Sequence, residues 1–242
     1  SWQGEVQMSA IPEEVLGLRV EVVRSRRRTA ALHIVGNELQ VRVPNQVRDE
    51  SIIEILQKKR PWIRRKVVQL KEVPVPQPKE FVSGEAFPFL GQNFRLKVQE
   101  GHRAGVQLSE GYLLTTVRPS EVGEQRKQRI QQYLKSWYRS RAEERLQEKV
   151  ERYSKQIGVS PKGLRVREFK SKWGSCDSRG TIAFNLNLIK APHPIVDYVV
   201  IHELCHMIQP NHSKNFWKEV EKHDASYKEH RAWLKQHASE LI

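Results

Sequence analysis

The stretch "IVDYVVIHELCHMIQPNHSKNFW", residues 195–217, combines an apolar helical pattern with three histidines and one glutamate. On an α-helix each residue advances by about 100°, so His202 and His206 lie roughly 40° apart on one face, one above the other. Pro210 ends the predicted helix, and His212 follows directly after the turn. We therefore predict that His202, His206 and His212 converge on one metal ion.

Glu203 lies on the flank of the same helical face, where its carboxylate can reach a water on the metal without itself being a ligand. Three nitrogen ligands and a water are typical of a catalytic zinc site, whereas a structural site usually fills the fourth position with protein. Zinc lowers the pKa of its water to about 7, and Glu203 can take the proton and return it to the departing amine. The pattern predicts a zinc-dependent peptidase with one Zn²⁺, although cobalt, nickel or manganese would also suit three imidazoles.

The contrary interpretation is that these are ordinary surface histidines, because the short pattern H-E-x-x-H also arises by chance. Three features of the sequence argue against chance. The pattern lies within an apolar helix, a third histidine follows at a turn, and an unusual strand motif precedes it.

Composition restricts the remaining classes of function. The 242 residues include 42 Lys and Arg against 28 Asp and Glu, a formal net charge of +14 that favours encounters with acidic partners and nucleic acid. The two cysteines, Cys176 and Cys205, are too few for a disulfide framework. The sequence contains no run of 18 apolar residues and no secretory signal pattern, so we expect a soluble, cytoplasmic protein without a membrane partner.

The N-terminal half is predicted to be rich in β-strands. Alternating apolar residues at 18–43 indicate a small antiparallel sheet, and a helical pattern from Asp49 breaks at Pro61, which predicts a pair of helices. The segment "PVPQPK" at 74–79 is typical of a stiff connector. After it, "FPFLGQNFRLKV" and "VQLSEGYLLTTV" predict two further hairpins, with Gly91 and Gly111 near their turns.

The C-terminal half is predicted to be mixed. A long charged helix at about 121–157 precedes strands at 164–170 and 180–189, the histidine-bearing helix, and two closing helices that begin near Ser213 and Ser226. We therefore expect an α+β fold with two regions. Residues 1–118 would form a β-rich region with a basic helical segment, and residues 119–242 would form the catalytic region.

Several motifs along the chain resemble the YgjP-like metallopeptidase family of zinc-dependent hydrolases. They are "RSRRRTAALHI", "VRVP", "KKRPWIRRK", "WGSC", "GTIAFNLNLI", "PHPIVDYVVIHELCHMIQPNHSKNFW" and "YKEHRAWL". The resemblance implies a zincin-like catalytic half, with the H-E-x-x-H helix beside a small sheet. It also implies that the metal ligands are His202, His206 and His212 and that the catalytic glutamate is Glu203. The SprT-like and Wss1-like proteases are similar in motif and act on proteins attached to DNA, which is an analogy only.

A second set of residues has weaker support. In zinc peptidases of this shape a strand runs along the metal cleft and can hold an extended peptide, so a substrate-binding role is one interpretation of Trp173, Gly174, Ser175 and Cys176. The alternative is a tight turn with a core tryptophan, and Cys176 could be a fourth ligand, an inhibitory thiolate or a buried small residue. Two tyrosines could donate to an oxyanion or simply pack, namely Tyr198 and Tyr227.

Two basic runs in the N-terminal half suggest the rival function. A nucleic-acid patch would include Arg26, Arg27, Arg64 and Arg65, while the alternative is a solvated charged face. The sequence thus predicts a zinc peptidase acting on peptides or proteins. The alternative is a nucleic-acid-binding protein, or a protease associated with DNA, whose metal site is structural or vestigial.

Overall fold

The computed structural model describes residues 10–72 and 77–242. The chain forms two compact units, Ser1–Pro74 and Val75–Ile242. The predicted connector at 74–79 begins outside the described residues, which resume at residue 77. The predicted division into 1–118 and 119–242 concerns where the catalytic region begins, and it stays a prediction.

The first unit consists of one four-stranded sheet and one helix. Its strands are β1 (Glu14–Val15), β2 (Leu18–Ser25), β3 (Ala31–Val35) and β4 (Glu38–Pro44), in the order β1-β2-β4-β3, and helix α1 (Asp49–Glu72) follows them. Alternate residues of β4 are fully buried because one face of the sheet packs on α1. The core of this unit includes Leu39, Val41, Val43, Ile52, Leu56 and Ile63.

Two expectations for this region were wrong. The sheet is mixed, because β2 runs parallel to β4. The predicted pair of helices is one continuous helix that includes Pro61. Proline removes one backbone hydrogen bond from a helix, but Leu56 and Ile63, on either side of Pro61, are both buried in the same core. Packing of this apolar face therefore holds the helix together across the proline.

The second unit begins with another four-stranded sheet followed by a helix. Its strands are β5 (Ala86–Phe89), β6 (Gln92–Glu100), β7 (Gly105–Ser109) and β8 (Tyr112–Val117), in the order β5-β6-β8-β7. The two predicted hairpins are confirmed, and β6 pairs in parallel with β8 between them. The long predicted helix is α2 (Gly123–Ile157), which Gly158 caps in a left-handed conformation with φ of 84°.

The two sheets have the same topology. In each, two antiparallel hairpins join through a central parallel pair, and a long helix follows the last strand. The first hairpin of each sheet turns through a two-residue Leu-Gly loop in which both residues have positive φ, at Leu16-Gly17 and Leu90-Gly91. We call these two regions the first and second sheet-helix modules, β1 to α1 and β5 to α2.

The remainder of the second unit contains the histidine-bearing helix and the elements around it. It contains β9 (Gly163–Arg167), β10 (Gly174–Cys176), β11 (Thr181–Asn185), α3 (His193–Cys205), α4 (Lys214–His223) and α5 (Tyr227–Leu241). The strand order is β10-β11-β9, which leaves β10 at an edge of the sheet. The closing helices α4 and α5 begin where the sequence predicts.

The strand expected at 180–189 is shorter than predicted. It ends at Asn185, whose side chain accepts a hydrogen bond from the N–H of Asn187 and starts the 3₁₀ helix Leu186–Lys190. The Asn185 amide also donates to the carbonyls of Phe169 and Lys172, which fixes the segment that leads into β10. A buried asparagine therefore decides both the end of one strand and the approach to another.

Helix α3 lies in the largest core of the protein. Val196, Val200 and Leu204 are fully buried, and Ala142 and Leu146 of α2 belong to the same cluster. An ion pair of 2.6 Å between Lys149 and Asp197 also connects α2 with α3. The helix that carries the candidate ligands is thus held on a rigid scaffold. Across residues 10–72 and 77–242, no helix has both the length and the hydropathy of a membrane span.

Candidate metal centre

The three histidines predicted to bind metal are brought together by the end of α3 and the loop after it. His202 lies in the last turn of α3, and His206 is its C-terminal cap. The chain then tightens into i→i−3 hydrogen bonds, from the N–H groups of His206 and Met207 to the carbonyls of Glu203 and Leu204. His212 follows in the loop before α4, and the side chain of Ser213 caps the start of that helix.

The ring nitrogens of these histidines form a nearly equilateral triangle. The Nε2 atoms of His202 and His206 lie 3.2 Å apart, those of His206 and His212 lie 3.1 Å apart, and those of His212 and His202 lie 3.2 Å apart. Three nitrogens at about 2.0–2.1 Å from a tetrahedral zinc ion would be separated by about 3.3 Å. The triangle therefore has the size that a single tetrahedral ion requires.

The chemistry of this donor set also suits a cation. Burial lowers the pKa of His202 to about 3 and lowers that of His206, with the neighbouring histidines acting in the same direction on both. Both rings are therefore neutral at physiological pH and present lone pairs. The Nδ1 atom of His206 lies 3.1 Å from the carbonyl oxygen of Gln209, the type of contact that orients a metal-binding imidazole. The buried Nδ1 atom of His202 has no hydrogen-bond partner within the described residues.

Aromatic side chains enclose the histidine triangle. The Phe216 ring stacks on His206 with a centroid separation of 4.3 Å, and the Trp217 ring stacks on His212 at 5.8 Å. Both aromatic residues come from α4, so packing of that helix fixes the positions of ligands on the preceding loop. Local sequence patterns predict no role for either ring, and the aromatic pair in "NFW", shortly after the third histidine, is the only signal of them in the sequence.

Glu203 is adjacent to His202 in the chain and, among the described residues, is not part of the cluster that the three histidines form. Its side chain is buried, and burial raises its pKa to about 7. A Cβ atom at Gly174 would lie 2.8 Å from Cγ and 2.9 Å from Oε1 of Glu203. A side chain larger than that of glycine at this position of β10 would displace the Glu203 side chain. No local pattern in the sequence indicates this contact, because the two residues are distant along the chain.

A cleft of about 1510 Å³ joins β10 to the histidine triangle. Its lining includes all four residues of the predicted substrate strand, together with His202, Glu203, His206 and His212. Ser175 and Cys176 lie in β10 itself. Trp173 directly precedes the strand and packs, partly buried, against the main core. Cys176 is half-buried, burial raises the pKa of its thiol, and within the described chain it is not part of the metal-ligand cluster.

The two tyrosines occupy different places. Tyr198 lines the cleft, with its ring centroid 5.9 Å from that of His202, and burial raises its pKa to about 12. Tyr227 stacks on Trp217 at 5.3 Å and is not one of the cleft-lining residues. An oxyanion role stays a prediction for both, with better support from position for Tyr198.

The arginines of the suggested nucleic-acid patch lie in the first unit. Arg26 and Arg27 follow β2, whereas Arg64 and Arg65 are exposed on α1. Their neighbour Arg24 is engaged within the fold, since its guanidinium binds the Asp49 carboxylate at 2.8 Å. A role in nucleic-acid binding stays a prediction that rests on exposed charge alone.

Comparisons with known proteins identify the family. The model of the YgjP-like metallopeptidase domain matches residues 28–237. A search of curated proteins found no match. Among solved structures, the crystal structure of the metallopeptidase zymogen of Pyrococcus abyssi abylysin is 24% identical over 37% of this chain and 93% of that chain, with a TM-score of 0.33. The family model covers most of the chain, so the chain belongs to the YgjP-like metallopeptidase family. Membership of this family implies a metal-dependent peptidase that acts on proteins or peptides.

Proposed function

We propose that this protein is a zinc-dependent metallopeptidase in which His202, His206 and His212 hold one zinc ion and Glu203 is the general base. The observation that carries the proposal is the triangle of Nε2 atoms, 3.1–3.2 Å on each side, in the same cleft as a buried glutamate. A donor set of three imidazoles is typical of catalytic zinc and leaves one coordination position free.

Zinc bound by the three histidines would lower the pKa of a water to about 7 and polarise the carbonyl of the scissile bond. Glu203 accepts the proton from the attacking water at its carboxylate and returns it to the nitrogen of the leaving amine. Contact with Gly174 restricts the Glu203 side chain to the side of the cleft next to β10. Tyr198 is the side chain that we assign to the developing oxyanion, because its ring lies beside His202 in the cleft.

The substrate would lie extended along β10. This strand is at the edge of its sheet, and its residues Gly174, Ser175 and Cys176 line the cleft. Backbone pairing with an edge strand holds a peptide with little dependence on its side chains. The arrangement corresponds to a zincin-like site. Since the cleft residues lie between Ser160 and Ala238, we propose that 119–242 supplies the catalytic region.

Substitution of Glu203 by glutamine tests the proposal. The variant keeps the size of the side chain but removes the base, so we expect zinc content to remain and peptide hydrolysis to fall by about 10²- to 10⁴-fold. Metal analysis and digestion of an unfolded protein measure the two quantities. Glu221→Gln is the matched control, because Glu221 is exposed on α4 and does not line the cleft. Full activity in Glu203→Gln, with zinc present, would refute the mechanism.

A further inference from the structure

The cleft that contains the histidine triangle is lined by more basic than acidic side chains. Over the whole chain, basic residues outnumber acidic residues by 42 to 28. The cleft lining contains five basic residues and two acidic ones. The five are Lys162, Lys172, Arg179, Arg231 and Lys235. Basic residues thus outnumber acidic residues in the cleft, as they do over the whole chain.

Neither acidic residue of the cleft lies within ion-pair distance of these five cations among the described residues. Glu203 is buried against Gly174. The Oδ1 atom of Asp177 accepts hydrogen bonds from the backbone N–H groups of Arg179 and Thr181, both at 2.9 Å. Asp177 thus stabilises the turn after β10.

The five cations also lack carboxylate partners at ion-pair distance among residues 10–72 and 77–242. Elsewhere in the second unit, basic side chains such as Lys135 and Arg141 pair with glutamates. In the cleft, by contrast, the guanidinium of Arg231 lies over the Trp217 ring at 4.9 Å, and the ammonium of Lys172 lies over the Phe169 ring at 4.8 Å. These cation–π contacts position the charges without cancelling them.

The positions of the cations follow the edge strand. Lys172 precedes β10 by two residues, and Arg179 lies in the turn after it. The backbone N–H of Lys162 donates to the carbonyl of Gly180 in that turn. Lys162 therefore lies at the same end of the strand as Arg179. Arg231 and Lys235 are one turn apart on α5. A peptide paired with β10 would therefore meet positive charge at both ends of this strand.

We infer that this cleft selects acidic polypeptide segments, with aspartate or glutamate on both sides of the bond that is cleaved. The inference rests on the proposed function, since it names the class of substrate for the same site. Each exposed charge contributes modestly, but several charges of one sign in a cleft add to the attraction and accelerate encounter. An edge strand that pairs with a polypeptide backbone favours a peptide over a nucleic acid as the occupant.

Cleavage of matched peptides tests the preference. Fluorogenic peptides of one sequence would carry aspartate, asparagine or lysine at the four positions that flank the scissile bond. For the zinc-loaded protein at low salt we expect kcat/KM to be at least about tenfold higher for the aspartate peptide than for the lysine peptide. The ratio should shrink as salt rises, because the Debye length falls to about 3 Å at 1 M. Equal rates for all three peptides would overturn the inference.

Charge reversal assigns the preference to the cleft. In the double variant Arg179→Glu, Lys235→Glu we expect the ratio of aspartate to lysine kcat/KM to fall to about one or below. The control is Lys127→Glu, Lys155→Glu, which makes the same change in net charge at exposed positions of α2 outside the cleft. A control that loses the preference as fully as the cleft variant would show that net charge of the whole protein is responsible, and the inference would fail.

A binding measurement separates this inference from the proposed mechanism. Fluorescence anisotropy would record the affinity of fluorescein-labelled aspartate and lysine peptides for the Glu203→Gln protein, in which cleavage is blocked. Tighter binding of the aspartate peptide supports the inference even if the wild-type protein cleaves no peptide, an outcome that would refute only the proposed function. A single-stranded oligonucleotide of equal charge would serve as a competitor. If it displaces the labelled aspartate peptide at a lower concentration than the unlabelled aspartate peptide does, the inference is overturned.

Discussion

The two sheet-helix modules have the same topology but different surroundings. In the second module, the N–H groups of Leu90 and Gly91 donate to the carbonyls of Ile189 and Lys190, at 2.8 and 3.3 Å. A Cβ atom at Gly91 would lie 2.9 Å from the Cα atom of Pro192, the residue before α3. The corresponding loop of the first module has no described atom within 4 Å of the position of a Cβ at Gly17. The hairpin turn of the second module therefore packs against the segment that leads into α3, whereas a Cβ atom added at Gly17 would meet no described atom within 4 Å.

The helices of the two modules differ in the same way. Helix α1 contributes Ile52, Leu56 and Ile63 to a single core with its own sheet. Helix α2 contributes Ile130 and Leu134 to the core of its sheet, and Leu146 and Val150 to the core around α3. A long helix that belongs to two cores couples the second sheet to the region around α3. The comparison teaches that one topology can serve as a separate unit or as the support of a site, depending on what its turn and its helix contact.

The largest expected difference comes from truncating one core leucine in each module. Leu39 in β4 and Leu113 in β8 are fully buried, and each is the second residue of its strand. We expect Leu→Ala to cost about 2–5 kcal/mol in the unit that contains it. Because Leu113 belongs to the unit with the histidine triangle, Leu113→Ala should lower the urea concentration at which bound zinc is released. Leu39→Ala should leave that midpoint unchanged, and an equal shift in both variants would contradict the comparison.

A smaller difference is expected when alanine replaces the turn glycines. Gly17 and Gly91 have φ of 82° and 81°, so alanine at either position costs about 1–2 kcal/mol of backbone strain. At Gly91 the added methyl group also meets Pro192, and overpacking costs about a further 1–3 kcal/mol. Urea unfolding of both variants measures the difference. Equal destabilisation by Gly17→Ala and Gly91→Ala would mean that the turn contact with Pro192 is of no energetic importance.

The smallest expected difference concerns acid stability and the residues that begin the two helices. Near the start of α2, buried Glu121 accepts a hydrogen bond from the Tyr133 hydroxyl at 2.7 Å, which lowers the pKa of the carboxyl group. A carboxyl whose pKa is lower in the folded protein stabilises it above the pKa of the unfolded chain, about 4.3 for glutamate. That stabilisation is lost as the pH falls further.

We therefore expect Glu121→Gln to reduce stability at pH 7 and to flatten the loss of stability between about pH 5 and pH 3. At the start of α1, Asp49 forms an exposed pair with Arg24, and such pairs contribute about 0–1 kcal/mol. Asp49→Asn should change stability little. Thermal unfolding of both variants across this pH range provides the measurement, and an unchanged pH profile in Glu121→Gln would be the contrary result.

Sequence reasoning succeeded where the signal was local. The turns at Gly91 and Gly111, the long helix α2 and the Ser213 cap follow from residues a few positions apart. It failed where packing overrode a local rule, as when α1 continued through Pro61. It also did not reveal the shared topology of the two modules, because the turns and strand order repeat while the residues between them differ.

For the metal site, the sequence by itself determined the candidate ligands and the base, because helical periodicity places His202, Glu203 and His206 relative to one another. Only the tertiary structure decided the position of His212 on the third corner of the triangle, since α4 must pack Phe216 and Trp217 against the rings. It alone brought Gly174 against Glu203 and collected the basic side chains of separate elements around β10. These contacts join residues far apart in the chain, and no local period encodes such distances.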